Sequence, residues 1–368
     1  MAMGTSQMLG CLTERLQDVS SDATLTCFGQ EFNPETYAIA KADMLIKGGN
    51  ASGMKYGDTL SDDAFSGYEF DYVISNPPFG IDWKREKTQV EAEAKLGYDG
   101  RFGPGLPAIS DGQMLFMLNG VKKLKDGSGR MAIIQNGSSL FTGDAGSGAS
   151  EIRRYLIHGD FVEAIVQLPT DLFYNTGIST YIWVLTKGKP MHRSGWVQLI
   201  DASKCFVKRR KNIGSKRVDL SDDCIDLILQ AYEEFENQTY TNGNLVVESK
   251  KFANDFFGFT KVTVETAQAD ENGKPILKRG KYVPVKGETD TESIPLSEDI
   301  DSYMAKNVLP YNPLAYIDPA KDKIGYDVLF PRLFYKFEEP EASISIFEEI
   351  KALEEKESIL MKELLENA

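Results

Sequence analysis

Apolar and polar positions along the chain alternate between two rhythms. Over residues 9–19, Leu9, Leu12 and Leu16 recur at the three- to four-residue spacing of an amphipathic helix. Residues 24–28 form a short β-prone run ending at Gly29, Gln30 and Glu31. Asn33 as cap and Pro34 at the first helical position then start a helix. Its apolar side holds Ala38, Met44 and Leu45, and Gly48-Gly49 stops it. Residues 55–60 read as a short strand and turn. Tyr72, Val73 and Ile74 read as a buried strand of a parallel sheet. Residues 80–110 are polar and rich in glycine and proline, which predicts a long loop placed to close over a substrate. Asp111 caps a helix predicted to run through Lys125, with Met114, Leu115, Leu118 and Val121 on one face. Residues 130–135 form a strand, followed by Asn136-Gly137 and a glycine-rich loop to Gly148. A helix containing residues 152–156 follows, then strands over 161–168 and 180–186, close enough in sequence for an antiparallel hairpin at one sheet edge. This alternation predicts a doubly wound α/β domain.

Later segments are less regular. Residues 221–235 form an amphipathic helix. Residues 270–291 are polar and read as a protruding hairpin or mobile loop, and residues 311–331 as irregular packed structure. From Glu341 the pattern is helical to the end, with Ile346, Ile350, Leu353, Leu360 and Leu364 on a heptad seam interrupted by Glu357. A stripe of that kind needs a partner, either within this chain or in another subunit.

The chemistry concentrates after residues 72–74. Two consecutive prolines cannot extend a strand, because neither donates to a ladder. Asn76, Pro77, Pro78 and Phe79 therefore form a rigid turn at a strand's carboxyl end, where open α/β sheets bind ligands. The side-chain oxygen of Asn76 and the carbonyl of Pro77 are acceptors with little freedom. Together they suit a planar amino group, and Phe79 offers a ring to stack on a flat heterocycle. The plainer reading is an ordinary strand-to-loop turn with Phe79 plugging the core. Gly4, Thr5 and Ser6 precede the first helix as a small-residue turn suited to a nucleoside cofactor, or as terminal disorder. Glu31 stands where an acidic residue commonly bonds ribose hydroxyls, or is a solvated carboxylate. Asp58 either accepts from an adenine amino group or caps its own turn.

Composition narrows the class. With 42% hydrophobic and 26% charged residues, the 368-residue chain has globular character. No run is apolar enough to span a membrane, and the four scattered cysteines read as reduced thiols, which predicts a cytoplasmic protein. Two histidines, His158 and His192, and four scattered cysteines offer no triad and no metal-ligand spacing, so no metal is expected. The glycine-rich loop before residue 148 lacks the Gly-Lys-Ser/Thr of a nucleotide triphosphatase. A net charge of −14 is wrong for gripping nucleic acid unaided. The exception is a cationic stretch with Lys204, Lys208, Arg209, Arg210, Lys211, Lys216 and Arg217, either phosphate-binding or a solvated loop.

Taken together, GTSQML (residues 4–9), GQEFNPETYAIAKADML (29–45), GDTL (57–60), NPPF (76–79), DGQMLFMLNGVKKLK, LPTDLFYNTGIST (168–180), IPLSEDIDSYMAKNVLPYNPLAYID (294–318) and KIGYDVLF (323–330) resemble the modification subunit of type I restriction-modification systems. The resemblance covers almost the whole chain and implies a DNA adenine-N6 methyltransferase. Its fold would be a Rossmann-like methyltransferase sheet using S-adenosylmethionine, with a C-terminal extension ending in a long helix. By resemblance, Gly4, Thr5 and Ser6 line the cofactor pocket, Glu31 holds the ribose and Asp58 the adenine end. Asn76, Pro77, Pro78 and Phe79 take the flipped adenine. The implied domains are 1–200 (catalytic), 201–338 (extension) and 339–368 (partner-binding helix). The implied partners are DNA, a specificity subunit docked through the C-terminal helix, a second modification subunit and a restriction subunit. The family has a strand and a helical domain before the glycine turn. Here Met1 falls inside that turn, which predicts an incomplete sheet lacking its first strand and weak cofactor binding by this chain alone. The competing expectations are a non-catalytic assembly fragment, and an amino-methyltransferase acting on an RNA base or protein glutamine.

Overall fold

The computed structural model describes residues 1–337 and 342–366. Two compact units are present, one running from Met1 to Leu329 and the second beginning at Phe330. In chain order the first unit opens with α1 (Gln7–Val19), β1 (Gly29–Glu31), α2 (Pro34–Ile46), β2 (Met54–Tyr56) and β3 (Tyr72–Ser75). It continues with α3 (Lys87–Ala94), α4 (Gln113–Lys122), β4 (Arg130–Asn136), α5 (Ser138–Phe141), α6 (Gly148–His158), β5 (Val162–Gln167), β6 (Thr180–Thr186) and β7 (Trp196–Asp201). A hairpin of β8 (Val207–Ile213) and β9 (Lys216–Asp219) follows, then α7 (Asp222–Glu234), β10 (Gln238–Asn242) and β11 (Leu245–Ala253). The unit closes with β12 (Gly258–Ala267), β13 (Leu277–Lys278), β14 (Lys281–Tyr282), β15 (Pro284–Pro295), α8 (Ile300–Asn307), β16 (Ala315–Ile317) and β17 (Lys323–Tyr326).

The central sheet has seven strands in the order β10-β11-β7-β5-β6-β4-β3. β3 runs parallel to β4 and β5 parallel to β7, whereas β6 is antiparallel to both β4 and β5. β3, β4, β5 and β7 therefore present their carboxyl ends at one end of the sheet. The predicted antiparallel pairing of residues 161–168 with 180–186 is present, but not at an edge. β6 lies inside the sheet, where Trp183 and Leu185 are fully buried. The sheet is buried on both faces there, so a near-continuous apolar run reads the same at a centre as at a rim.

β1 and β2 form a separate parallel pair, with Gly29 opposite Met54. The predicted strand over residues 24–28 falls later than expected, at Gly29–Glu31. Residues 1–3 lie between this pair and β3: the Met3 N–H donates to the Gln30 carbonyl and the Ser75 hydroxyl to the Met1 carbonyl, both at 3.0 Å. Beside them is a cavity of about 570 Å³ walled by Leu9, Leu12 and Leu16 of α1 and by Phe28, Phe70 and Ile74. Among the described residues no strand occupies the interval between β1 and β3. α1 consequently buries none of its residues, although its apolar stripe is the predicted one.

α2 begins as its sequence predicts. Asn33 Oδ1 accepts from the backbone of Glu35 and Thr36 at 3.0 Å each, with Pro34 next. α4 is shorter than residues 111–125 and is buried all round from Gln113 to Val121, not along one face. The predicted loop at 80–110 is ordered. It contains α3, and Arg101 ties it to the core. The Arg101 guanidinium grips Glu93 at 2.6 and 2.7 Å. It also donates to the Thr59 carbonyl at 2.7 Å, the Leu60 carbonyl at 3.1 Å and Asn119 Oδ1 at 3.0 Å. Lys123 meets Asp63 at 2.6 Å beside it. A single arginine thus closes a long excursion on two backbone carbonyls and a carboxylate.

Beyond the central sheet, β12 pairs with β15, β16 and β17. Residues 311–331, expected to be irregular, supply two of those strands. The polar segment 270–291 forms β13, β14 and the first part of β15. Arg153, fully buried, donates to the carbonyls of Tyr326 and Thr142 and to Asp327 Oδ1, fastening β17 to α6. The second unit contains α9 (Phe330–Phe334) and α10 (Ser343–Glu366). Residue 341 and residues 367–368, placed in the C-terminal helix by the sequence pattern, lie outside the described residues. Ile346, Ile350, Leu353, Leu360 and Leu364 are all exposed on α10. No helix among the described residues is long and apolar enough to cross a membrane.

Removing the guanidinium leaves Glu93, the Thr59 and Leu60 carbonyls and Asn119 Oδ1 short of a partner in a poorly hydrated place. Arg101→Ala should therefore cost about 3–5 kcal/mol in chemical denaturation. Burial pushes the Glu93 carboxyl up, but hydrogen bonds from Arg101 outweigh it and hold the group below its usual value of 4.5. The stability contributed is complete above that value and is lost as pH falls through the lowered folded one. The acid limb of a stability–pH curve should be flatter in Arg101→Ala than in the unaltered chain.

Candidate active site

β3 lies at the sheet edge with Tyr72 exposed, not buried as its sequence predicts, and it ends at buried Ser75, separated by Asn76 from two prolines that have no N–H for a ladder. Asn76 and Pro78 are exposed, Pro77 is buried and Phe79 is half-buried. Neither the Asn76 amide nor the Pro77 carbonyl takes a hydrogen bond from a described residue, so both acceptors are uncommitted. Gly80 adopts φ +63°, which turns the chain sharply after Phe79. The Ile81 carbonyl then accepts from the Gly112 N–H at 3.0 Å, and the Trp83 indole donates to the Ala108 carbonyl at 3.0 Å. The turn is thereby held against the start of α4.

A second pocket, of about 210 Å³, brings together Gly4 and Thr5 with Ser75 and Asn76, over Met1 and Phe28. The larger cavity is walled mainly by aliphatic and aromatic side chains and includes no residue of the NPPF turn. The smaller one joins the two polar turns and is the better candidate site. Glu31 stands beside it. Its Oε2 accepts from the Gly4 N–H at 2.9 Å and its Oε1 from the Asn33 N–H at 2.9 Å. This carboxylate couples the end of β1 to the glycine turn, and Gly4 itself sits at φ +58°.

Of the NPPF residues Asn76 alone lines the smaller pocket, with Pro77, Pro78 and Phe79 following outside its lining. Ser6 and Asp58 point elsewhere. Ser6 is buried at φ +63°, its hydroxyl donating to the Ala40 carbonyl at 3.4 Å, toward α2 and away from the pocket. Asp58 Oδ1 accepts from the Leu60 N–H at 3.0 Å and Oδ2 from the Ser61 hydroxyl at 2.7 Å. That is the turn-capping alternative weighed for it. Burial, with the nearby charge of Asp58 adding, pushes the Glu86 carboxyl up.

The sequence did not single out a polar cluster at the carboxyl end of β4. Gln113, buried at the start of α4, donates through Nε2 to Asp111 Oδ2 at 2.6 Å and to Asn136 Oδ1 at 2.7 Å, and its Oε1 accepts from the Asn136 N–H at 3.0 Å. Ser138 closes the ring by donating to Asp111 at 2.7 Å. β4 neighbours β3, so this cluster forms a wall next to the NPPF turn. Its one sequence signal is a glutamine standing where an apolar helix begins.

This sheet, with a proline-stiffened turn at the carboxyl end of one strand and a glycine turn leading into a helix, defines an α/β methyltransferase domain. The chain belongs to the N-6 DNA methylase family, whose model matches residues 1–272. Among curated relatives, it is 28% identical over 308 residues to the type I restriction enzyme MjaIX methylase subunit of Methanocaldococcus jannaschii, covering 82% of this chain and 50% of that protein. It is 27% identical over 259 residues to the HindI methylase subunit of Haemophilus influenzae, covering 69% of this chain and 55% of that one. The methyltransferase subunit of a type I system from Streptococcus thermophilus superposes with a TM-score of 0.56 at 28% identity, over 69% of this chain and 49% of the other. The EcoKI M protein shares the fold, with a TM-score of 0.51 at 20% identity. The resemblance to type I modification subunits is thus met by independent relatives, and the chain spans about half the length of those curated proteins.

Glu31→Ala should release the glycine turn at a cost of about 2 kcal/mol, since two hydrogen bonds to a carboxylate are lost. Amide hydrogen exchange should quicken at Gly4 and Asn33 and remain unchanged in β4.

Proposed function

We propose that this chain carries the adenine-N6 methylating site of a type I modification subunit. The observation that carries this reading is Asn76, which lines a pocket shared with the Gly4-Thr5 turn and whose side-chain oxygen, like the Pro77 carbonyl that follows it, accepts from no described residue. An adenine turned out of its duplex presents an exocyclic amine with two N–H donors. Accepting both draws the nitrogen lone pair out of ring conjugation and localises it on N6. Proline on both sides of the Pro77 carbonyl's peptide plane keeps that acceptor from rotating away. Phe79 supplies a ring for the base to lie against. The amine loses its proton to water after alkylation, so no titrating base is required in the turn.

Gly4 and Thr5, with Glu31 behind them, are the residues that would hold S-adenosylmethionine, and Ser6 and Asp58 shape the surrounding turns. The fit rests on a backbone turn with a left-handed glycine next to a fixed carboxylate. When bound, this cofactor supplies an electrophilic methyl group. The helix that follows the Gly4-Thr5 turn buries none of its residues, so the turn is weakly supported and binding by this chain alone should be weak.

The net charge fits a subunit whose sequence recognition is delegated to a specificity subunit. α10 is the proposed docking element for that subunit, with a second modification subunit and a restriction subunit completing the assembly. An assembly-only role is the second reading, favoured by the exposed stripe on α10.

Transfer of labelled methyl from S-adenosylmethionine to DNA, measured with the specificity subunit present, separates the two. Asn76→Ala should lower that transfer at least about 100-fold, the scale of losing one preorganised electrostatic contact, without lowering thermal stability. No transfer by the unaltered assembly would leave only the assembly role. Titration calorimetry of S-adenosylmethionine into the isolated chain should show weak or undetectable binding, and tight binding would refute this expectation.

A further inference from the structure

Among the described residues, the hairpin β8–β9 is a strongly cationic surface element of an acidic chain. Residues 202–219 contain seven lysines and arginines and a single carboxylate, Asp219. That carboxylate is already taken: Arg209 contacts its two oxygens at 2.6 and 2.7 Å and Lys216 reaches it at 3.0 Å. Lys208, Arg210, Lys211 and Arg217 are exposed and pair with no described acidic residue. An arrangement that satisfies its only acid and leaves the remaining cations in solvent is built to meet negative charge from outside.

The hairpin is held in place rather than projecting freely. Its turn docks on the segment that follows β5. The Ser215 N–H donates to the Tyr174 carbonyl at 2.9 Å and the Arg217 N–H to the Asp171 carbonyl at 2.8 Å. Lys216 Nζ lies 5.1 Å over the Tyr174 ring. Gly214, at φ +59°, passes so close that a Cβ would come within 2.4 Å of the Tyr174 carbonyl oxygen, so only glycine fits. Fixed cations lose less freedom on binding than cations on a mobile loop.

Its position is set by topology. β7 runs parallel to β5, β4 and β3, and the hairpin follows the carboxyl end of β7. The hairpin and Asn76 thus share one end of the sheet. Four strand spacings separate β3 from β7, roughly 19 Å at the usual inter-strand distance. That interval corresponds to roughly five or six base pairs of duplex. The −14 net charge weakens the overall attraction of the chain for DNA, but carboxylates more than about 8 Å from the hairpin are largely screened at physiological salt.

We infer that the β8–β9 hairpin is a clamp for the DNA sugar-phosphate backbone, with Lys208, Arg210, Lys211 and Arg217 contacting duplex phosphates on the flank of the methylated base. The inference rests on the DNA-methyltransferase reading. Contacts of this kind position the duplex without reading its sequence.

The test is equilibrium binding of the full chain to a fluorescently labelled DNA duplex without a target site, over a series of KCl concentrations. A variant carrying Lys208→Gln, Arg210→Gln, Lys211→Gln and Arg217→Gln is compared with one carrying Lys278→Gln, Arg279→Gln, Lys281→Gln and Lys286→Gln, which removes the same charge elsewhere. The first variant should bind more weakly, with a log K against log salt slope shallower by about 3–4, near 0.9 for each phosphate lost. The second should keep the unaltered slope. An unchanged slope in the first variant, equal losses in both, or no salt-dependent binding by the unaltered chain would each overturn the assignment. Weakened association with the specificity subunit at an unchanged DNA slope would overturn it too, marking the hairpin as a protein contact. Loss of methyl transfer in Asn76→Ala, with DNA affinity unmoved by the hairpin variant, would remove this inference alone and leave the catalytic reading standing.

Discussion

A buried guanidinium is the constraint on which the candidate site depends. The segment between the NPPF turn and α4 leaves the sheet, turns through α3 and must return to the same place. Trp83, Val90 and Phe102 are buried along it. What ties it across to the rest of the domain is Arg101, whose planar fork satisfies one carboxylate, two carbonyls and an amide oxygen together. No lysine could hold all four in one plane. Arg153 applies the same solution to the C-terminal strand of the first unit, reaching the carbonyls of Tyr326 and Thr142 and the side chain of Asp327. In both cases a charge that would be costly if alone is used to close a long stretch of chain on backbone acceptors.

The site that this closure supports relies on position rather than on titration. In the proposed reading Asn76 and Pro77 would act through geometry: a strand stopped by two prolines leaves its last acceptors uncommitted, with the Pro77 carbonyl fixed between two proline rings. Glu31 belongs to the same economy of parts, since one carboxylate joins the glycine turn to β1 and starts the approach to α2. The polar ring of Asp111, Gln113, Asn136 and Ser138 stiffens the neighbouring strand end. An alkylation that needs an exposed lone pair rather than a strong base is well served by such a place.

Much of this was legible in the sequence, and what was missed has physical causes. The NPPF turn and the Asn33-Pro34 helix start depend on local backbone chemistry, and they stand where the sequence puts them. The interior position of β6 was not readable, because burial on both faces erases the difference between centre and edge. Residues 80–110 look like a loop because their order comes from Arg101 reaching Thr59 and Leu60, a long-range fact. α4 is buried all round although its residues suggest one apolar face, and Gln113 escaped notice because its partners arrive from β4. The inward turn of Ser6 follows from its left-handed backbone, which spacing alone does not reveal.

The interleaving of β6 also bears on how the molecule assembles. β4 and β5 never touch along their length; the strand between them is synthesised after both. The middle of the sheet therefore stays open until Thr186 has left the ribosome, and the two halves come together in one late, non-local event. Chains arrested before that residue would expose the flanks of β4 and β5 as unpaired hydrogen-bonding edges, the kind of surface that holding chaperones are needed to cover.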